Sequence, residues 1–394
     1  MNCCFGWGAI DWTKEEVKKL RNAECSENLK NLIEISFKDK EDGKKFQVQL
    51  NLQEKISKMV EITSFSDDAE RYVIKLNENN KCPLLTDDDL CSVQRELGEE
   101  YLSNTCRVYP RIFLGFGEMV MGFCHTSCYH VVDILCNDSE SMILEALSGK
   151  KEKMTLKYQT YTQENFAKNP ELRYRRQFIE LFYDIISDGS RSLETALILG
   201  ALAASSLTKL IAKGDYARIP EHISEFKKQI NNPEMIAKVD NIKSNDELRW
   251  SFGSRLNKSI IELNISNLIK EYNGNISMEK FLEGEKKFRE AFSDRPFAMR
   301  NIALNLLLDL NVPFRDIKAT LFENYCYFVS AVALIKFIGS VSYISSDEPE
   351  KFFKTAAAYA NRYFSHSVAM IKSIMDILKE FHCTSPAYLA AIIK

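Results

Sequence analysis

Long periodic segments with few glycines occupy the chain from about residue 170 onward. Apolar residues recur there at helical spacing, and short breakers such as Asp188-Gly189-Ser190 and Asn311-Val312-Pro313 separate the segments. The pattern predicts helices at 170–187, 192–213, 215–230, 246–272, 278–292, 296–310, 317–344 and 348–381. Because amphipathic helices must bury their apolar faces against one another, the pattern indicates an all-α domain.

The segment Tyr325–Ile344 is apolar and long enough to cross a bilayer, with Lys336 as its only charge. Ser330, Ser340 and Ser342 and the amphipathic helices on both sides suit the interior of a helical domain better. We therefore interpret this segment as a buried helix and expect no membrane span.

The region before residue 150 has a different character, since it mixes short elements with turns. Thr13 reads as a helix N-cap, strands are predicted at 44–52 and 71–76, and the acidic run 87–89 is placed at the start of a helix. Composition changes at Lys150-Lys151-Glu152-Lys153, and 394 residues exceed what one hydrophobic core usually supports. We predict a mainly α protein with two domains, a cysteine-rich α+β metal-cluster domain (1–150) and an all-α helical domain (151–394).

Overall charge argues against two classes of partner. With 52 Lys+Arg against 55 Asp+Glu, the formal charge of -3 suggests neither nucleic-acid binding nor a polybasic membrane anchor. No secretory signal pattern is present, so the cytoplasm is the expected location, where the eleven cysteines stay reduced.

Six cysteines lie among turns marked by Gly and Pro, which favours thiolate ligands over a disulfide framework. They are Cys3, Cys4, Cys82, Cys91, Cys106 and Cys128. Four thiolates complete either a tetrahedral zinc site or an iron-sulfur cluster, and the chemistry alone leaves both open, as it leaves open a set of unrelated buried thiols. Cys25, Cys326 and Cys383 fall within helical patterns and are predicted to be packing residues.

Three further constellations have weaker interpretations. The Cys124–His130 segment is dense in zinc-type ligands, but a helix there would not bring four ligands together. Gly115-Phe116-Gly117 lacks the third glycine of a dinucleotide fingerprint and predicts a hairpin turn. Arg173–Arg176 favours a solvated helical face, whereas Arg362 and His366 share one helical face four residues apart.

The cysteine block closely resembles the flagellin lysine-N-methylases, a family of CxxxCxxCC cysteine-rich proteins. The resemblance rests on short motifs over roughly residues 1–136. They are Cys3-Cys4-Phe5-Gly6-Trp7 with Asp11, Cys82-Pro83-Leu84, Leu90-Cys91-Ser92-Val93-Gln94, Leu97–Arg107 with Tyr109-Pro110-Arg111, and Ser127-Cys128. Outside that region, Arg362 and His366 lie where the family has a late helix with Arg and His. Tyr129 replaces the family's proline, and the family's cysteines before the Cys-Cys pair have no counterpart here.

The resemblance implies methyl transfer from S-adenosylmethionine to lysine side chains of flagellin by an enzyme with an iron-sulfur cluster, 4Fe-4S being expected and zinc the alternative. The six cysteines are the expected ligands. The lysine must lose a proton before it attacks, and Asp11, Tyr101 and Tyr109 are candidates to take it. Arg107, Arg111 and Arg362 are candidates to bind the cofactor carboxylate, with His366 beside Arg362. The alternative is a non-catalytic, metal-stabilised binding protein derived from a truncated methylase.

Overall fold

The computed structural model describes residues 10–36, 71–74, 77, 81–88, 90–116, 119–145, 163–262, 276–383 and 385–394. The strand predicted at 44–52, the Lys150–Lys153 boundary and the ligand candidates Cys3 and Cys4 lie outside these residues. Two compact units are present, residues 1–122 with 150–160 (the N-terminal unit) and residues 123–149 with 161–394 (the helical unit). Residues 123–149 therefore belong with the helices, although the functional domains 1–150 and 151–394 remain a prediction.

The described elements of the N-terminal unit are short. In order they are β1 (Ile10–Thr13), α1 (Lys14–Arg21), α2 (Glu27–Ser36), β2 (Arg71–Ile74), α3 (Ser92–Glu96), α4 (Asn104–Val108), β3 (Arg111–Phe116) and β4 (Met119–Cys124), whose last two residues fall in the helical unit. β1 pairs with β2 in antiparallel register from Ile10 opposite Ile74 to Thr13 opposite Arg71. β3 and β4 form a second two-stranded sheet.

Local signals explain where several of these elements begin. Thr13 caps α1 as predicted, because its hydroxyl accepts from the Glu16 amide while the Glu16 carboxylate accepts from the Thr13 amide. The helix expected at the acidic run 87–89 instead starts after Cys91, because residues 82–92 first close a turn in which the Thr86 amide bonds the Leu90 carbonyl. Gly115 and Phe116 are the last two residues of β3 rather than part of the predicted turn, and Gly117 lies outside the described residues.

The helical unit contains long helices separated by short connections. They are α5 (Tyr129–Asn137), α6 (Gln163–Lys168), α7 (Arg175–Ser187), α8 (Leu193–Ala212), α9 (Ile219–Gln229), α10 (Pro233–Asp240), α11 (Asp246–Glu262), α12 (Met278–Ala291), α13 (Ala298–Asp309), α14 (Leu321–Ser345), α15 (Pro349–His366), α16 (Val368–Glu380) and α17 (Pro386–Ile393). The mainly helical class is thereby confirmed. The cysteine-rich metal-cluster character of the N-terminal domain remains a prediction.

The helix predicted at 348–381 is wrong as a single element. The chain breaks between α15 and α16 at Ser367, whose extended backbone lets its hydroxyl accept from the Met370 amide and cap α16. α10 and α17 were not predicted, although each begins with proline at its first turn.

The core of the helical unit is organised around α14, which packs against α8, α11, α12 and α15. Gly284 of α12 marks a close approach of two helix backbones, since a Cβ there would lie 2.0 Å from the Ser340 carbonyl oxygen. Tyr325 of α14 is fully buried, and its hydroxyl donates to the Leu197 carbonyl of α8 at 3.0 Å. The apolar segment Tyr325–Ile344 thus lies within a buried helix, as predicted.

Among the described residues, two helices are long and apolar enough to cross a membrane by length and composition, Leu193–Ala212 and Leu321–Ser345. Most of each apolar window is buried inside the protein, 61% and 72% respectively, as in the core helices of soluble proteins. One charge of each helix pairs with one of the other, because Lys336 Nζ lies 2.5 Å from Glu194 Oε1.

Candidate functional site

Three of the predicted ligands, Cys82, Cys91 and Cys106, lie around one hydrophobic cluster of the N-terminal unit. Cys82 is a buried member of that cluster, while Cys91 and Cys106 are half-buried against it. Cys91 is the N-cap residue of α3, and Cys82 lies in the turn before it. The expectation that cysteines lie at turns and element ends is confirmed for both.

Cys128 is the N-cap residue of α5 and belongs to the helical unit. Among the residues that the structure describes, no group of three or more Cys, His, Asp or Glu side chains could hold a metal ion. Because Cys3 and Cys4 fall outside those residues, the six-cysteine ligand set remains a prediction.

The candidate proton acceptors are all in the N-terminal unit. Asp11 lies on β1 opposite Val73. Tyr101 ends a short 3-10 helix, and the Lys19 ammonium lies 4.4 Å from the centre of its ring. Tyr109 follows α4 as its C-cap residue. Their role as proton acceptors remains a prediction.

The candidate carboxylate-binding arginines have partners within their own units. Arg107 donates to Asn104 Oδ1 at 3.2 Å, and Arg111 donates to the Arg107 carbonyl at 2.6 Å. Arg362 is buried on α15, with its guanidinium 5.2 Å from the centre of the Tyr359 ring. His366 is the last residue of α15. These roles also remain predictions.

A histidine-aspartate pair in the helical unit escaped the sequence analysis. His125 Nδ1 lies 2.6 Å from Asp309 Oδ1, while Asp309 Oδ2 accepts from the Thr126 amide at 3.1 Å and the Thr126 hydroxyl at 2.9 Å. The Asp309 side chain is fully buried at the end of α13. The Cys124–His130 segment is therefore not one helix, because Cys124 ends β4 and a turn that carries His125 precedes α5.

The second unpredicted feature is a cavity of about 940 Å³ within the helical unit, which we call the cationic cavity. The end of α7, the start of α8, the first half of α13 and one face of α12 form most of its wall. Phe288, Phe292 and Phe297 line one part, and five arginines and two lysines line it against two glutamates. This volume is in the range of small-molecule and cofactor sites.

Ion pairs fix most charges of the cationic cavity. Arg249 is held by both oxygens of Glu285, at 2.5 and 3.0 Å. Burial alone would raise the pKa of Glu194, but the Lys336 ammonium outweighs it and lowers that pKa to about 2. The Glu194 carboxylate is therefore charged at neutral pH.

Arg295 links the cavity wall to a second group of charges. It forms a two-pronged pair with Glu350 at 2.8 and 2.9 Å, and the buried Lys354 ammonium joins Glu350 and Asp133 at 2.6 and 2.7 Å. Hydrogen bonds from Arg295 hold the pKa of Glu350 at about 2. This network joins α5 to α15, so the charges of Lys354, Glu350 and Asp133 help to hold these two helices together.

A match to a known family covers most of the helical unit. Residues 180–392 match the model of the FliB lysine N-methylase C-terminal domain, which is more than half of the 394 residues. The chain belongs to the FliB lysine N-methylase family. The resemblance seen in the cysteine motifs is thereby confirmed, although the matched region is the helical part. Nearly all residues that line the cationic cavity fall within it.

Individual relatives agree with this assignment. Lysine-N-methylase of Salmonella typhimurium (strain LT2) is 29% identical over 143 residues, 33% of each chain, and Lysine-N-methylase of Salmonella choleraesuis (strain SC-B67) gives the same values. Flagellar biosynthetic protein FliU of Salmonella muenchen is 36% identical over 89 residues, 19% of this chain and 53% of FliU. The similarity thus spans about a third of the two methylases. No solved structure matches the chain.

Proposed function

We propose that this FliB-family protein is a cytoplasmic protein-lysine N-methyltransferase that moves a methyl group from S-adenosylmethionine to lysine side chains of flagellin. The observation that carries the proposal is the family match over residues 180–392. The name of the FliU relative associates this family with flagella and so favours flagellin as the substrate. The cationic cavity provides the helical unit with space for a small organic cofactor.

The chain's own residues have two tasks in such a reaction. They must hold the target amine in line with the donor methyl, since orientation supplies much of the acceleration, and they must accept the proton that a lysine ammonium loses. S-adenosylmethionine supplies an electrophilic methyl on a positively charged sulfur. Asp11, Tyr101 and Tyr109 remain the proposed acceptors.

The His125–Asp309 pair is less suited to that task if the donor occupies the cationic cavity. Arg300 and Leu304 of α13 line that cavity, and Leu304 precedes Asp309 by five positions, so a rise of 1.5 Å per residue places the nearer of them about 7.5 Å away along the helix. Direct proton transfer requires a heavy-atom distance of about 3 Å. We therefore assign the pair a structural role.

An iron-sulfur cluster remains part of the proposal, with ligands drawn from Cys3, Cys4, Cys82, Cys91, Cys106 and Cys128. Thiolates are the ligands such clusters require, and three of these cysteines surround one hydrophobic cluster. When bound, the cluster would supply either a rigid covalent support or an electron-transfer centre. Zinc is the alternative metal.

Methyl transfer is tested by incubating the full chain, purified without oxygen, with flagellin and isotopically labelled S-adenosylmethionine. Mass spectrometry of flagellin peptides is expected to show label on lysines and none in a reaction without the chain. Binding of flagellin without label incorporation, under conditions where the cofactor binds, would overturn the catalytic proposal in favour of a binding protein.

Metal content is tested separately on the same preparation. About four iron and four acid-labile sulfide per chain are expected for one 4Fe-4S cluster. Stoichiometric zinc without iron would replace the cluster by a zinc site. Absence of both metals would remove the metal from the proposal while leaving methyl transfer to its own assay.

A further inference from the structure

Another cavity of the helical unit, which we call the glutamate pocket, is much smaller than the cationic cavity. Its volume is about 150 Å³, and the end of α8, the segment 314–320 and the start of α14 form most of its wall. The aliphatic side chains of Leu172, Ile211 and Ile317 line it. Among the described residues that line it, Glu171 alone is charged. The glutamate pocket therefore combines a mainly apolar wall with a single carboxylate.

Glu171 lies at this pocket without a cation to balance its charge. It is half-buried in the short 3-10 helix Pro170–Tyr174, and in the described part of the chain it forms no ion pair. Burial raises its pKa, and a hydrogen bond from its own backbone offsets this effect only in part. Because a carboxylate that is partly removed from water is stabilised by a nearby cation, the pocket favours a positively charged ligand.

A second copy of the same tripeptide shows that the burial of Glu171 is not a local consequence of the sequence. Asn-Pro-Glu begins a helix twice, at residues 169–171 and at residues 232–234. In the second copy Asn232 accepts from the Glu234 amide at 2.9 Å, and Glu234 is exposed. The asparagine of the first copy makes no such cap. An acid in the first turn stabilises a helix start in both places, but Glu171 also lines the glutamate pocket.

The size and chemistry of the pocket fit the side chain of a lysine. A volume of about 150 Å³ corresponds to about five water molecules of about 30 Å³ each, and a lysine side chain has as many non-hydrogen atoms. Its methylene chain packs on apolar surface, while its ammonium requires a polar partner. The pocket is too small for S-adenosylmethionine, since sites for ligands of that size occupy about 300 Å³ or more.

We propose that the glutamate pocket binds a lysine side chain of the protein substrate, with its apolar wall packing on the methylene chain and the Glu171 carboxylate receiving the ammonium. This inference rests on the proposed function, since it locates where the helical unit recognises the substrate of that reaction. The structural alternative is that Glu171 only stabilises the start of its own helix, as Glu234 does.

Nuclear magnetic resonance of the full chain with isotopically labelled isoleucine methyl groups reads the pocket directly, because Ile211 and Ile317 line it. The ligands are Nα-acetyl-lysine-N-methylamide and Nα-acetyl-norleucine-N-methylamide. They share the backbone and the methylene chain, but only the lysine amide carries an ammonium. We expect the lysine amide to shift both isoleucine signals saturably, and the norleucine amide to bind about tenfold more weakly.

Glu171→Gln keeps the shape of the side chain and removes its charge. We expect it to weaken binding of the lysine amide about tenfold, to change that of the norleucine amide less than about twofold, and to raise the KM for flagellin about tenfold. Glu234→Gln is the matched control, because it removes the same charge from the same tripeptide at a residue that does not line the pocket. It is expected to leave all three values unchanged.

The outcomes separate this inference from the function. If both amides bind the natural chain equally, or if Glu171→Gln keeps the preference for the lysine amide or the KM for flagellin, the inference is wrong while methyl transfer to flagellin stands on its own assay. If the natural chain does not methylate flagellin, the proposed function is wrong and the assignment of the pocket to its substrate falls with it.

A second pair of variants keeps the test valid if Glu171→Gln does not fold. Ala212 lines the pocket and is exposed at the end of α8, so a larger side chain is tolerated there. Ala212→Trp is expected to fill the pocket and abolish the shift of the Ile317 signal by the lysine amide, whereas Ala212→Ser is expected to preserve it. Equal responses of the two variants would place the lysine amide outside the glutamate pocket.

Discussion

The two units differ in what surrounds their candidate site residues. In the N-terminal unit Cys82 is 6% exposed and packs in the same cluster as Trp12 and Leu20. In the helical unit the residues that line the candidate site are mainly charged and lie around the cationic cavity, while thiols such as Cys326 are buried in the apolar core around α14. A thiol is apolar enough to be buried alone, but a charge needs a partner. A cysteine that is to bind a metal can therefore lie within a hydrophobic cluster, whereas the charges around a cavity are held in pairs.

The largest effect is expected where helices of the helical unit approach most closely. Gly284→Val would place Cβ 2.0 Å from the Ser340 carbonyl oxygen, a backbone atom that cannot rotate away. We expect a loss of about 3 kcal/mol or more in unfolding free energy, measured by urea denaturation. Gly189→Ala, where no neighbour obstructs Cβ, is the control. Similar stabilities of the two variants would contradict the close packing of α12 on α14.

The two units are expected to unfold in separate transitions. Leu20 and Leu334 are fully buried, one in each unit. Each substitution by alanine is expected to cost about 2–5 kcal/mol in its own unit. Calorimetry should show two transitions, with Leu20→Ala lowering one and Leu334→Ala the other. One shared transition, lowered by both, would show that the contrast between the units is not one of independent stability.

A moderate effect is expected at the buried aspartate of the helical unit. Asp309→Ala removes the acceptor of His125 and of both Thr126 donors, and we expect a loss of about 2–4 kcal/mol in unfolding free energy. Asp309→Asn keeps an oxygen for Thr126 and is expected to lose about 1 kcal/mol. Full stability of the alanine variant would show that this buried carboxylate is not needed to hold the turn before α5.

The smallest expected effect is the loss of the stability that Glu350 contributes when the pH becomes acid. The pKa of Glu350 is about 2, below its ordinary value of 4.5, because Arg295 and then Lys354 donate to its charged form. Its stabilisation is therefore complete above about pH 4.5 and is lost as the pH falls through about 2. Melting temperatures of the natural chain and Glu350→Gln should differ most near pH 7 and converge toward pH 2. A difference that stays constant down to pH 2 would contradict this linkage.

Sequence patterns predicted the helices well, because the signals that start and stop a helix are local. Thr13, Ser192, Ser277 and Thr320 each cap a helix within the described chain. The break at Ser367 was missed because residues 348–381 keep an apolar helical period on both sides of it. The serine within this period was the available signal. A helix capped at that serine and a helix that continues through it differ by only a small free energy, so the sequence alone did not distinguish them.

The candidate site was predicted less completely. Asp309 and His125 are 184 residues apart, so no local pattern relates them. The signal that could have found Asp309 is its isolation in the apolar run 304–310, where a carboxylate must be buried and therefore paired. Arg300 carries no such signal, because an arginine in an amphipathic helix is ordinary.

The sequence by itself determined the helical class, the positions of most helices and the cysteines beside turns, because each depends on residues close together in the chain. Only the tertiary structure decided that Cys128 belongs with the helices, that Lys336 in an apolar helix meets Glu194, and that arginines from four segments surround one cavity. The physical reason is that burial forces distant charges to find partners, and which partners they find depends on how whole helices pack.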